Sequence, residues 1–142
     1  TDTDTDTDTD TDTDTDTDPE GCLRYSVEPV TPSGGSCTTC PSGEGLRFKA
    51  TVLNGCKTDF TLSTPADCLV DEWLLIPASG PDEPYSPACT GAPTTWEIAG
   101  GDREIVYWAY GDIEDGGYTI QATFADSGAS VARQRFSVEP RK

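Results

Sequence analysis

The sequence predicts an all-β sandwich preceded by an extended N-terminal Thr-Asp repeat. Apolar and polar residues alternate over short runs that Gly and Pro interrupt, and no long stretch keeps a helical period. The six cysteines in a chain of 142 residues form an even set, suited to stapling one small domain. With the repeat set aside, the remainder is enough for one ordinary domain and not for two.

Residues 1–18 are nine copies of Thr-Asp and hold no apolar side chain to bury. By composition the segment is a solvated, self-repelling tether, since nothing in it offsets the entropy of ordering its backbone. Its period is nonetheless two, the period of a strand. An extended conformation sets every Thr on one side and every Asp on the other, and reaches roughly 60 Å. Thr1, Thr3, Thr5, Thr7, Thr9, Thr11, Thr13, Thr15 and Thr17 are candidate O-glycosylation sites, because small hydroxyl residues without bulky neighbours suit dense glycans in a secreted chain. Glycans there would stiffen the segment and shield its carboxylates. The chain opens on Thr1 with no initiator Met and no basic-plus-apolar signal region, the form of a mature product or of a window cut from something longer, so Thr1 does not mark the start of the repeat's true length.

Pro19 breaks the repeat, and residues 19–45 read as a Cys-rich linker with a first strand, Leu23 to Val30, followed by a breaker-rich loop from Thr31 to Gly45. Residues 46–142 read as the sandwich. Leu46, Phe48, Ala50 and Val52 alternate with Arg47, Lys49, Thr51 and Leu53 in a half-buried strand that stops at Asn54-Gly55, a strong turn signal. Phe60 to Leu62, Cys68 to Ile76, Trp96 to Ile98, Glu104 to Tyr110, Tyr118 to Phe124 and Ser130 to Val138 complete eight candidate strands. Phe136-Ser-Val-Glu-Pro140 nearly copies Tyr25-Ser-Val-Glu-Pro29. That is either coincidence between two edge strands or a pair of equivalent edges through which one copy adds to the next.

The formal charge is −17, and with the nine repeat aspartates removed the remainder is still acidic, at about −8. Such a surface repels phosphate backbones and anionic lipid heads, which makes nucleic acid and the inner membrane leaflet poor partners; cations and basic proteins fit better. No apolar run is long enough to cross a bilayer. Cys22, Cys37, Cys40, Cys56, Cys68 and Cys89 are expected to form three disulfides in an oxidising compartment, placing the chain outside the cell or on its surface. Cys37-Thr-Thr-Cys40 lacks the second pair or the histidines of a zinc site, and lies among Pro32, Gly34, Gly35 and Pro41 rather than at the start of a helix as a redox motif would.

The absence of histidine removes the usual serine and cysteine triads and the imidazole metal ligands, and no catalytic residue is assigned. Carboxylates abut Trp73 at Asp71-Glu72 and cluster at Asp112, Glu114 and Asp115, but acids beside Gly in a hairpin are ordinarily solvated turn formers. For the second cluster weak Ca²⁺ binding is the better reading, although the EF-hand spacing is absent. Trp73, Trp96, Trp108, Tyr107 and Tyr110 read as core aromatics, with a sugar-stacking platform as the rival. Because both faces of Glu104 to Tyr110 are apolar, one must meet the other sheet and the other a glycan or a neighbouring subunit.

LRFKATVLNGCKTDFTLSTP, CLVDEWLLIPASG, TTWEIAGGDREIVYWAYGD and GGYTIQATF follow one another between Glu44 and Val138. In this order they resemble the BsuPI-type intracellular proteinase inhibitor family, which implies an immunoglobulin-like β-sandwich. The cysteines, the stretch before the domain and the repeat depart from that family, so fold transfers better than inhibition. An inhibitory loop would have to be Pro77 to Thr95, anchored by Cys89. Cys68 is expected to pair with Cys89, as they flank the central strand and its return; Cys22, Cys37, Cys40 and Cys56 then staple the N-terminal stretch in one of three connectivities. The expected function is a structural component of an extracellular fibre or cell-surface appendage, with a glycosylated Thr-Asp spine and the sandwich as cap or link, its partners being glycans and copies of itself or other fibre subunits. The alternative is a secreted or envelope-anchored inhibitor-like or ligand-binding module on a flexible Thr-Asp stalk.

Overall fold

The computed structural model describes residues 22–126 and 128–140; the Thr-Asp segment with its nine candidate threonines, and residues 19–21, lie outside the described residues. Ten strands and no helix occur among the described residues: β1 (Leu23–Val30), β2 (Thr39–Pro41), β3 (Leu46–Asn54), β4 (Phe60–Thr64), β5 (Val70–Pro77), β6 (Glu83–Tyr85), β7 (Thr94–Ile98), β8 (Arg103–Gly111), β9 (Gly116–Phe124) and β10 (Val131–Glu139). They form a three-stranded sheet in the order β1-β3-β8, a five-stranded sheet in the order β2-β10-β9-β5-β6, and a β4-β7 ribbon. This is an immunoglobulin-like β-sandwich.

The period-two pattern decides which side chains meet between the sheets. From β3, Leu46, Phe48, Ala50 and Val52 point inward and are buried; from the other sheet Trp73, Leu75, Ile120, Ala122 and Phe124 oppose them. Phe48 is the meeting point. Its ring lies 5.4 Å from Trp108 and 5.7 Å from Tyr110 in its own sheet, and 5.7 Å from Phe136 of the facing one.

All eight strands expected from the pattern are present, and two more join them. β2 and β6 have three residues each and both contain a proline, so neither is long enough to show an alternation. β2 runs parallel to the end of β10, pairing Thr39 with Ser137 and Pro41 with Glu139. This corrects the reading of Phe136–Pro140 as an open edge: β10 is hydrogen-bonded on both sides there, whereas β1 has a ladder with β3 and, on its other side, only the contacts of Val30 with Ser36 and of Pro29 with Cys37 at its end. The stretch expected as a linker is likewise part of the sandwich, contributing β1, β2 and the buried Leu23, Val27 and Cys40.

Asn54-Gly55 ends β3 as expected but closes no hairpin, for β3 pairs with β1 and β8 while β4 pairs with β7. Asn54 is instead a fully buried connector. Its amide nitrogen donates to the carbonyls of Thr58 at 2.8 Å and Ile98 at 2.9 Å, and its oxygen accepts from the Cys56 N–H at 3.0 Å. Asn54→Ala leaves the buried Ile98 carbonyl without its partner and frees the contacts to Thr58 and Cys56, so a loss of about 1–3 kcal/mol is expected in urea unfolding. Gly100 lies beside them, packed so closely on the Lys57 backbone that no Cβ fits.

β1 and β10 run in the same direction. Near their starts the Tyr25 hydroxyl donates to Asp126, and the Tyr25 ring meets Phe124 edge-on at 4.9 Å. At their ends the Cys37 N–H donates to the Pro29 carbonyl and the Ser137 N–H to the Thr38 carbonyl. The chain therefore enters the sandwich at one pole, at Cys22, and leaves it at the other, beyond Glu139.

Candidate functional site

Three disulfides hold the domain: Cys22–Cys56, Cys37–Cys40 and Cys68–Cys89. The pairing of Cys68 with Cys89 agrees with the expectation, and the remaining four cysteines take one of the three connectivities left open. Cys22–Cys56 joins the residue just before β1 to the second residue past the end of β3, so it fixes the pole at which the repeat attaches. Cys68–Cys89 anchors the long segment between β5 and β7. Asp67, Cys68 and Cys89 are the one group among the described residues with three metal-ligand atoms within 4.8 Å of one another, but both sulfurs are spent in the disulfide and the Asp67 Oδ1 accepts the Thr90 N–H at 2.8 Å. A disulfide offers no thiolate, so the chemistry of this set does not suit a cation.

The carboxylates at Asp112, Glu114 and Asp115, the candidates for weak Ca²⁺ binding, are exposed in the β8–β9 turn and do not form a group of three within that distance of one another. Asp112 and Glu114 instead line an acidic cavity of about 300 Å³ with Glu83, Tyr110 and Tyr118. The Tyr110 hydroxyl donates to Glu83 Oε1 at 2.7 Å and the Tyr118 hydroxyl to the Glu114 carbonyl at 2.7 Å. Burial, followed by the Glu83 hydrogen bond and its charge, pushes the Tyr110 phenol from 10.0 up to about 12; burial and the Glu114 charge raise Tyr118. Because the folded protein holds the Tyr110 proton more tightly than the unfolded chain does, this contribution to stability is complete below pH 10 and is lost as pH rises to about 12. Titration followed by phenolate absorbance should show a late-ionising tyrosine that Tyr110→Phe removes.

The aromatics divide between core and surface. Trp73 is buried, and Trp108 packs between Trp73 at 6.0 Å and Tyr110 at 5.3 Å. The other face of Glu104 to Tyr110 is open to solvent. Ile105 is 40% and Tyr107 48% exposed, as is Tyr85 at 41%. Tyr85 was not singled out from the sequence, because a tyrosine between Pro84 and Ser86 gives no alternation; it stacks on Trp108 at 5.0 Å with the rings 6° from parallel. Between these edges of the two sheets runs a groove of about 300 Å³ lined by Leu69, Val70, Trp73, Trp96, Ile105, Val106 and Tyr85, with Asp67 at its rim. The Trp96 indole donates to the Thr64 hydroxyl at 3.0 Å, so that ring is fixed.

No family model matches the chain, and no curated protein matches it. Ten chains of solved structure do. One is the CARDB domain of the PF1109 protein from Pyrococcus furiosus, in complex with di-metal ions: it is 13% identical, the match covers 88% of this chain and 100% of that one, and the TM-score is 0.40. The proteinase-inhibitor resemblance thus rests on the quoted motifs alone. Among the described residues no helix is long and apolar enough to cross a membrane.

Proposed function

We propose that this chain is an in-line structural module of an extracellular fibre or cell-surface appendage, with the Thr-Asp repeat as an extended, O-glycosylated spine and the sandwich as its cap or link. The observation that carries the reading is the direction of the terminal strands. A pull between the two ends of the domain enters at Cys22, where the bridge to Cys56 passes it to β1 and β3 as one unit, and leaves along β10, so the ladders of β3 with β8 and of β10 with β2 and β9 are loaded lengthwise rather than opened one bond at a time. The strand next to the repeat is covalently tied to β3 by Cys22–Cys56, and the strand at the far pole is paired on both sides. Three disulfides fit the oxidising compartment such a role requires. No catalytic role is proposed.

Single-molecule pulling with handles at the two ends of the full chain tests this. A high-force, all-or-none opening is expected, and reduction should lengthen the unfolded chain by about 190 Å, since disulfides spanning 34 and 21 residues then release. Gradual opening at low force would sink the reading. Intact-mass measurement of the natural product should show hexose-spaced excess mass, and unmodified threonines throughout the repeat would remove its glycan part. One observation favours the alternative: residues 78–86 are exposed yet held by β6 pairing, the Tyr85 stack and Cys68–Cys89, the form of an inhibitory loop. A panel of proteinases assayed with and without the protein decides it.

A further inference from the structure

The outward face of the three-stranded sheet has a charge opposite to that of the chain. Arg24 on β1, Arg47 and Lys49 on β3 and Arg103 on β8 stand on it, four of the seven basic residues among the described residues, in a protein with 26 acidic residues against 9 basic ones. The strand register leaves one acidic residue on this face, Glu28, which pairs with Lys49 at 3.1 Å. The Arg47 guanidinium lies over the Tyr107 ring, 4.6 Å from its centre, so the surface combines fixed cations with an exposed aromatic.

We propose that this face is the docking surface for the Thr-Asp repeat of a second copy of the chain. Charge complementarity is the first reason: a segment with one carboxylate every second residue meets the basic side of an otherwise acidic domain. Spacing is the second. In an extended repeat successive Asp side chains stand about 6.6 Å apart, and so do outward residues two apart on one strand, such as Arg47 and Lys49, so a repeat laid along the strands meets them in step. Length and attachment favour a neighbour over the chain's own domain. An extended repeat of roughly 60 Å exceeds a face only about 25 Å long, and it departs from Cys22, which is pinned at one pole. Such a contact joins two different surfaces and leaves the repeat of one copy and the basic face of the other unused, so copies add head to tail and form an open filament where the rotation does not close a ring. The Asp side of the repeat is engaged and the Thr side points away from the contact, so glycans there stiffen the spine, and in this arrangement they do not shield the carboxylates from the neighbour.

The inference deepens the fibre reading and rests on it, but pulling on one molecule does not register docking between copies, so the two fail separately. Sedimentation velocity of the full chain should show association at low salt that weakens at least tenfold at about 1 M salt, where the screening length falls to about 3 Å. Added synthetic (Thr-Asp)9 peptide should dissociate it. Arg47→Glu with Lys49→Glu and Arg103→Glu should abolish association with near-UV circular dichroism unchanged, while Arg133→Glu on the other sheet leaves it intact. Should the triple variant fail to fold, Arg103→Glu alone, at an exposed position, and peptide competition with the unaltered chain decide the matter. A monomer at low salt, an association indifferent to salt, or peptide binding without association of the chain each overturns the proposal.

Discussion

Phe48→Ala is expected to destabilise the domain by about 3–5 kcal/mol, read as a lower urea midpoint with an unchanged slope. The side chain is fully buried and its ring touches Trp108, Tyr110 and Phe136, members of both sheets. Truncation removes the apolar transfer energy and leaves a cavity that the neighbours cannot close, because Trp108 is held between Tyr85 and Trp73 and Phe136 is stacked on Tyr118 at 5.4 Å. Phe48→Leu keeps most of the volume and should cost under half as much. Equal losses for the two variants would show that ring geometry, rather than volume, is what this position supplies.

Cys22→Ser combined with Cys56→Ser is expected to cost about 4 kcal/mol, the loop-entropy value for a closed loop of 34 residues. The same reasoning gives about 3 kcal/mol for Cys68–Cys89, which closes 21 residues, and under about 2 kcal/mol for Cys37–Cys40, which closes 3. The ranking is as informative as the sizes. Thermal or urea unfolding of the three pairwise Ser variants should order them by loop length; a Cys37–Cys40 variant as damaging as the Cys22–Cys56 one would mean that native-state packing around the buried Cys40 outweighs chain entropy.

How much of this was legible in the sequence follows from the range over which each feature acts. Leu46 to Val52 and Tyr118 to Phe124 announce strands because alternation is a local property, and their inward residues are the core found. β2 and β6 are strands only by virtue of the neighbours they pair with, which no local pattern reports. Asn54-Gly55 carried a turn signal, but the asparagine amide was claimed by carbonyls at Thr58 and Ile98, one of them 44 residues away, and the chain turned to β7 rather than back along β3. Asp112, Glu114 and Asp115 are neighbours in sequence, yet the structure sets Asp112 and Glu114 around a cavity with Glu83, Tyr110 and Tyr118, a grouping that sequence proximity does not report. The basic face is invisible in the sequence for the same reason: its four cations come from three strands and add up only once those strands are placed side by side in register.

The cysteines also carry information about the order of assembly. Every bridge closes within the first 89 residues, with Cys37–Cys40 nested inside Cys22–Cys56 and Cys68–Cys89 separate from both, so no bridge waits on β7, β8, β9 or β10. A chain threaded out of a membrane pore N-terminus first could lock its covalent framework before its last third emerges. The late strands then dock onto a half already fenced against mispairing, and no thiol is left over to link one nascent copy to the next.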